Sequence, residues 1–283
     1  MEDVIIRFWQ QQDLPDLQEI FSASYGDPPE IIQAFHRLFL HAPENCLLTA
    51  VPEAGKPEGR PVAAGYCLSG LTLRFPDRKP VPCSYLYALG CLPSRRGHGY
   101  GMALHTRLFA EAGKQGTVRC MIPVSESKLR KYSEIGPVYP LGRMRSTERF
   151  RTELSADPMS AEDLTPEAYA RRRETLLESF PHAEYSSAWF TLMAAYGDCF
   201  LALPGALAAV IPLEDRCLIA ELLCTDTDPD RALAGIAARC PAERYEVRTP
   251  AFFPGPGEFR RFAYLNCEIQ DTPEDFWFPF GLE

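Results

Sequence analysis

The chain has 283 residues, 46% hydrophobic and 24% charged, with a formal net charge of -9 and a pI near 5.2. That length and composition suit one large or two ordinary soluble domains with sizeable cores. The acidic balance argues against nucleic acid or an anionic membrane surface as the main partner.

In chain order, DVIIRFW (3–9) predicts a first strand. QDLPDLQEIFSASYG predicts a helix that starts at Asp13 and carries Leu17, Ile20 and Phe21 on one face. A second helix is expected over 28–41. Two strands joined by a Gly/Pro turn follow over 46–73, then a strand near 84–92 and a helix near 99–115. TVRCMIPV (117–124) reads as a strand and SESKLRKYSEIG (125–136) as a short helix stopped by Gly136. The acidic, proline-bearing stretch 153–167 reads as a linker. Beyond it come helices at 166–180 and 183–196, strands at 199–203, 206–213 and 216–224, a helix at 229–239, and a strand in ERYEVRTPAF. The second half therefore repeats the strand–strand–strand–helix–strand rhythm of the first. This predicts an α/β (α+β) fold with a mixed, mostly antiparallel sheet flanked by helices, in domains at 1–152 and 160–283.

The opening MEDVIIRFWQQQDL has no basic segment ahead of an apolar run, so no secretory signal is expected. The longest apolar stretch, CFLALPGALAAVIPL, is broken by Pro204 and Gly205 and reads as two buried strands rather than a membrane span. None of the ten cysteines is spaced C-x-x-C, and the five histidines do not cluster with them. Reduced structural cysteines in a cytoplasmic protein are expected, without a bound metal.

The chemistry-bearing segment is CLPSRRGHGYGMAL (91–104), where a strand gives way to a helix through Gly97, Gly99 and Gly101. A glycine-rich turn feeding a helix N-terminus offers unpaired N–H groups and the positive end of a helix dipole, which together bind phosphate. Arg95 and Arg96 add charge suited to a polyphosphate. No G-x-x-x-x-G-K-[ST] sequence is present, and G-x-G-x-G is not the dinucleotide spacing G-x-G-x-x-G.

The R-x-x-G-x-G match at Arg96, Gly99 and Gly101 resembles the pyrophosphate-binding segment of the GNAT superfamily of acyl-CoA-dependent N-acetyltransferases. SESKLRKYSEIG resembles that family's later segment, a short helix with a tyrosine four residues before a glycine. Pro137 departs from the family's usual aromatic after that glycine. The resemblance covers roughly 3–150 and implies acetyl-CoA as cosubstrate. It implies that backbone groups of Leu89, Gly90 and Cys91 pair with the pantetheine arm, although Leu89 and Cys91 fit a plain core strand equally. It further implies that the amides of Gly97, His98, Gly99, Tyr100, Gly101 and Met102 hold the pyrophosphate, with Arg96 beside them. Tyr132 falls where the family carries its proton donor, and a phenol is still protonated at neutral pH. The family's glutamate on the strand is missing, since 84–92 holds no Asp or Glu. Glu126, a water chain through Tyr85 or Tyr87, His98, or a group from the second domain remain as candidate bases.

In the second half, the counterpart of the glycine loop is TDTDPDR (225–231), which has no glycine and carries Asp226, Asp228 and Asp230. Aspartates cap helices well and host anions badly. The pairing of a cofactor-binding half with a degenerate one resembles the enhanced-intracellular-survival family, without that family's sterol-carrier-like domain. The expected activity is N-acetyl transfer to a small-molecule or lysine amine, with non-catalytic acyl-CoA binding or sensing as the alternative and a homo-oligomer as a further possibility. The aromatic tail DFWFPFGLE should dock, either on its own second domain or at the first domain's cleft with Glu283 near the amine.

Overall fold

The computed structural model describes residues 4–115, 117–123, 125–155, 157–225 and 227–281. The chain forms two compact units: Met1–Leu71, Pro82–Tyr139 and Leu265–Cys267 make the first, and Thr72–Val81, Pro140–Tyr264 and Glu268–Glu283 the second. Glu283 and Asp226 lie outside the described residues.

The first unit runs through β1 (Ile5–Phe8), α1 (Leu14–Tyr25), α2 (Pro29–Phe39), β2 (Cys46–Glu53), β3 (Lys56–Arg74, as far as Leu71), β4 (Val81–Cys91, from Pro82), α3 (Tyr100–Gln115), β5 (Val118–Met121) and α4 (Glu126–Ile135). Its strands lie in the order β1-β2-β3-β4-β5. β1 and β2 are antiparallel with Phe8 opposite Leu47, and β2 and β3 are antiparallel with Cys46 opposite Tyr66. On the far side of β5, the Asn266 N–H donates to the Arg119 carbonyl, and the Arg119 N–H donates to Asn266 Oδ1.

Leu17, Ile20 and Phe21 are fully buried, as their three- and four-residue spacing requires of one helix face. Gly26, at φ +76°, stops α1 in the left-handed conformation usual after a helix end. The rings of Phe21, Phe35 and Tyr66 meet with centroids 5.1 to 5.7 Å apart, packing α1 and α2 against β3.

The chain continues with β6 (Tyr139–Leu141), β7 (Met144–Phe150), β8 (Glu162–Asp163), α5 (Pro166–Leu177), β9 (His182–Tyr185), α6 (Ser187–Ala195), β10 (Cys199–Leu203), β11 (Ala206–Pro212), β12 (Cys217–Cys224), α7 (Pro229–Arg239), β13 (Arg244–Pro250), β14 (Glu258–Arg260) and β15 (Ala263–Leu265). The second unit's sheet has the order β14-β7-β13-β12-β11-β10-β8. β7 enters it from residues that precede the acidic stretch and runs antiparallel to β13, with Phe150 opposite Arg244.

The helix expected over 183–196 is shorter than its apolar content suggested. Residues 182–185 are extended because they pair with β3 and the C-terminal tail supplies a further backbone partner. Ala183 donates its N–H to the Trp277 carbonyl, and Trp277 donates to the Pro181 carbonyl. Ala183 and Tyr185 alternate into the core, and α6 begins only after Ser186.

The tail packs within this second unit, with Phe276, Trp277, Phe278 and Phe280 buried. Its anchor is Glu221 on β12, whose carboxylate has no exposed surface and accepts from Tyr169 Oη, Arg173 Nε and Trp277 Nε1. All ten cysteines are free thiols. No helix among the described residues is long and apolar enough to cross a membrane.

The Glu221 cluster sets a stability test. Replacing Glu221 by alanine takes from the fully buried Arg173 guanidinium its buried carboxylate and leaves it only the partly exposed Glu174, which should cost about 3 kcal/mol or more. Urea unfolding followed through tryptophan fluorescence measures it. A loss well under about 1 kcal/mol would mean that the buried pair is easily replaced.

Candidate functional site

β4 pairs with β5 in parallel only from Cys83 to Tyr85, opposite Val118 to Cys120. β4 then continues to Cys91, and at Ala88 its backbone enters the left-handed region at φ +49°. For a residue with a Cβ that conformation costs roughly 1 kcal/mol, so it persists where the surroundings impose it. Past Tyr85 the ladder has stopped, and a strand that leaves its neighbour turns one line of backbone groups toward another partner.

The three strand positions singled out in the sequence have different surroundings. The Leu89 side chain, with Leu108, fills the space above Gly65, so it belongs to the core. Gly90 is demanded by α1, because a Cβ there would come within 2.9 Å of Ser24 Oγ and 3.1 Å of Ile20 Cγ2. The same Ser24 hydroxyl accepts the Cys91 N–H at 3.1 Å. That bond ties down one of the backbone groups expected to meet a pantetheine arm.

A tight turn at Pro93–Arg95 leads into the glycine loop, and α3 starts at Tyr100. Gly97 and Gly99 have φ of +86° and +81°, which explains two glycines by backbone conformation alone. Gly101 has no such requirement, and a Cβ at 97, 99 or 101 would meet nothing within 4 Å. Neither strain nor the protein's own packing therefore accounts for a glycine at 101. The first backbone bond of the helix runs from the Ala103 N–H to the Gly99 carbonyl at 3.1 Å. The N–H groups ahead of it lack a carbonyl one turn earlier and point out along the helix axis.

The charged residues of the loop are turned to the protein. Arg96 donates to the Cys91 and Ala23 carbonyls, both at 3.4 Å, bridging the end of β4 and the end of α1. His98 Nδ1 lies 3.2 and 3.1 Å from the Arg95 and Arg96 carbonyls, and its ring stacks on Tyr100 at 5.5 Å. His98 thus braces the loop. Met102 is exposed on the first turn of α3.

Tyr132, half-buried on α4, meets the His105 ring edge-on at 4.4 Å. His105 lies one turn of α3 after Gly101, is 1% exposed, and neither ring nitrogen has a hydrogen-bond partner among the described residues. Phe109 closes its other side at 4.3 Å. Burial, reinforced by the Arg119 charge, pushes the His105 imidazolium down to about 4. Burial raises the Tyr132 phenol above its ordinary value, so at neutral pH both rings are uncharged. Tyr25, at the end of α1, is also raised, by burial and then by the proximity of Tyr132 and Asp27. The structure thus gathers the glycine loop, Tyr25, His105 and Tyr132 in one unit.

Sequence reasoning missed Ser24, Ala88, Tyr25 and His105. For His105 a signal existed, since it adjoins Leu104 on the buried stripe of α3 that continues through Leu108. For Ala88 there was none.

The candidate bases are spread out. Glu126 sits exposed in the first turn of α4. Tyr85 is buried and stacks on half-buried Tyr87 at 6.0 Å. Among the described residues, no three His, Cys, Asp or Glu side chains are placed to hold a metal ion.

The second unit repeats the frame without the loop. β12 and β13 are parallel over Cys217–Ile219 and Tyr245–Val247, and α7 follows β12. Its N-terminus is closed by Asp228, which accepts the Asp230 N–H at 2.9 Å, while Asp230 pairs with Arg149 at 2.8 Å.

No protein-family model and no curated protein matches this sequence. Solved structures do match in fold. A GCN5-related N-acetyltransferase from Kribbella flavida superposes with a TM-score of 0.68 at 13% identity, covering 93% of this chain and 71% of its own. The fold is that of the GNAT N-acetyltransferases. Eis1 from Mycobacterium abscessus gives a TM-score of 0.59 at 14% identity, over 93% of this chain and 73% of its own. A tandem GNAT protein from the clavulanic acid biosynthesis pathway gives 0.51 at 13% identity, over 93% and 98%. The GNAT architecture thus accounts for both halves of the chain.

Two buried imidazoles make stability depend on pH. His36, 6% exposed and stacked on Tyr66, is pushed down to about 4 by burial, as is His105. The unfolded chain binds these protons near pH 6.5 and the folded chain only near 4, so stability falls as pH drops through that window. Each histidine should add up to about 1.4 kcal/mol per pH unit to the slope. Urea midpoints from pH 7 to 4 for the wild type and a His36→Phe variant should show the slope reduced in the variant. Identical slopes would refute the assignment for His36.

Proposed function

We propose that the chain is an acyl-CoA-dependent N-acyltransferase that passes acetyl from acetyl-CoA to a primary amine by direct attack. One observation carries this reading: Gly101, at the head of α3, is a glycine that neither backbone strain nor internal packing requires. A diphosphate held by the N–H groups of residues 97–102 would require it.

In this reading, the amides of Gly97, His98, Gly99, Tyr100, Gly101 and Met102 take the diphosphate, and the α3 dipole supports its charge. Arg96 is a positioning residue, fixing the loop to α1 through the Ala23 carbonyl. The backbone of Leu89 and Gly90, beyond the point where β4 leaves β5, takes the pantetheine arm. Acetyl-CoA supplies an activated thioester, so the chain has only to orient the reactants and manage two protons. Tyr132 Oη–H gives one of them to the departing sulfur. Its raised pKa keeps it protonated throughout the working range. His105 holds the Tyr132 ring from its edge.

The acceptor is a small-molecule amine or a protein lysine, drawn by the net charge of -9. Val81–Cys91 holds no carboxylate, so the amine's proton leaves by another route, for which no residue is assigned. That gap favours one alternative, an acyl-CoA-binding sensor without turnover.

Two variants separate these readings. Gly101→Val should leave the unfolding free energy within about 1 kcal/mol of wild type, since a helical valine costs no more than glycine. It should also abolish the thermal shift that acetyl-CoA produces. ATP and NAD should give no shift in either protein. Tyr132→Phe should bind acetyl-CoA normally and release thiol about a hundred-fold more slowly across a panel of amines. Unchanged acetyl-CoA binding in Gly101→Val would overturn the cofactor site. Binding without turnover on any amine would leave the sensor.

A further inference from the structure

In the second unit, β14 pairs antiparallel with the start of β7, with Phe259 opposite Arg145 and Arg260 opposite Met144. One step further in this register brings Arg261 beside Arg143. Alternate residues share a face, so Phe259, Arg261, Arg143 and Arg145 lie together. The Arg143 guanidinium lies over the Phe259 ring at 4.2 Å and that of Arg145 at 5.1 Å. Arg145 is otherwise engaged, donating to the Phe253 carbonyl at 2.6 Å.

The remaining guanidinium groups are poorly matched. Arg143 has one carboxylate, Glu274 at 3.4 Å, and its Nε is buried without a hydrogen-bond partner. Arg260 and Arg261 are exposed and make no ion pair among the described residues. Like charges opposed across a ladder destabilise it, yet here they border a pocket of about 380 Å³ lined also by Phe259, Thr272 and Glu274. That volume lies within the range of small-molecule sites, roughly 300–1,000 Å³.

We propose that this pocket binds a phosphate monoester, with Arg143 and Arg261 on the phosphate, Arg260 at the pocket's rim, and the organic part against the uncovered part of the Phe259 ring. Three guanidinium groups against the Glu274 carboxylate leave two positive charges, which matches a phosphate monoester of about -2 at neutral pH. Arginine suits such a ligand because its planar fork meets two oxygens at once. In a chain of net charge -9, a concave site of this sign is not the consequence of overall composition. The Phe259 ring, half-exposed although guanidinium groups lie over it, leaves apolar surface beside the charge. The proposal does not rest on acyl transfer.

Phenyl phosphate is the probe, titrated by calorimetry into the full chain with and without saturating dephospho-CoA. Dephospho-CoA keeps the diphosphate that the proposed loop of the first unit would hold but lacks a phosphate monoester, so it removes the loop from the readout without competing for the pocket. Binding at one site should persist with dephospho-CoA present. The double variant Arg260→Gln with Arg261→Gln should weaken it about ten-fold or more, with dephospho-CoA affinity and unfolding midpoint unchanged. Phe259→Ala should weaken phenyl phosphate more than inorganic phosphate. No heat from the wild type, or equal affinity in the double variant, would overturn the proposal. If dephospho-CoA itself fails to bind, the comparison between wild type and double variant still decides.

Discussion

The parallel ladder between β4 and β5 holds over Cys83–Tyr85 and then ends, and the chemistry proposed for the first unit depends on that ending. A strand paired along its whole length would have its backbone groups saturated and offer nothing to a ligand. Here Ala88 bends into the left-handed region just past the last paired residue, and α1 takes over the support of the strand's end. Ser24 makes that support specific, filling the space over Gly90 and accepting the Cys91 N–H. Arg96 adds a second tie, from the loop to the Ala23 carbonyl. The diverging strand is therefore rigid, and a fixed opening costs a ligand less ordering than a mobile one.

The second unit shows the same frame put to a different use. β12 and β13 repeat the parallel pair, and α7 repeats the following helix. Asp228 caps that helix with its own carboxylate, which satisfies the N-terminal amides and places negative charge where a phosphate would sit. The strand equivalent to β4 carries Glu221, yet its carboxylate faces Tyr169, Arg173 and Trp277 rather than solvent. A buried carboxylate with three donors contributes to stability and to a single packing of the tail, and offers no chemistry to a substrate. In the proposed reading the same architecture serves two purposes, separated by a handful of side chains at one helix start.

Local pattern determined most of the elements. The three- and four-residue spacing of Leu17, Ile20 and Phe21, the stop at Gly26, and the apolar run through 199–213 broken at Pro204 and Gly205 are decisions made by neighbouring residues, so they were legible. Residues 182–185 were not, because their extended form depends on partners far along the chain, in β3 and at Trp277. The entry of β7 into the second sheet depends likewise on β13. At the candidate site the glycine spacing was legible as a motif, but the reason for each glycine was not. Two satisfy backbone conformation, Gly90 yields to Ser24, and Gly101 alone has no internal cause. Only coordinates separate these cases. Ala88 had no sequence signature, since alanine has no preference for the conformation it adopts there.

The electrostatic character of the site constrains the proposed reaction. Tyr132 is held as a phenol and His105 as a neutral imidazole, both by burial. No carboxylate lies on β4 to compete for the Tyr132 proton or to draw it away. A phenol in such surroundings is a weak acid toward water and a competent one toward a thiolate as that charge develops beside it, because a water-poor environment magnifies the field of the new anion. The same surroundings hold an ammonium poorly, so an amine reaches the carbonyl most readily as the free base and leaves its proton in solvent. In the proposed reading the missing carboxylate and the half-buried phenol are two aspects of one arrangement: a site that keeps Tyr132 and His105 uncharged until the thiolate appears, and that places the positive end of α3 where the diphosphate would need it.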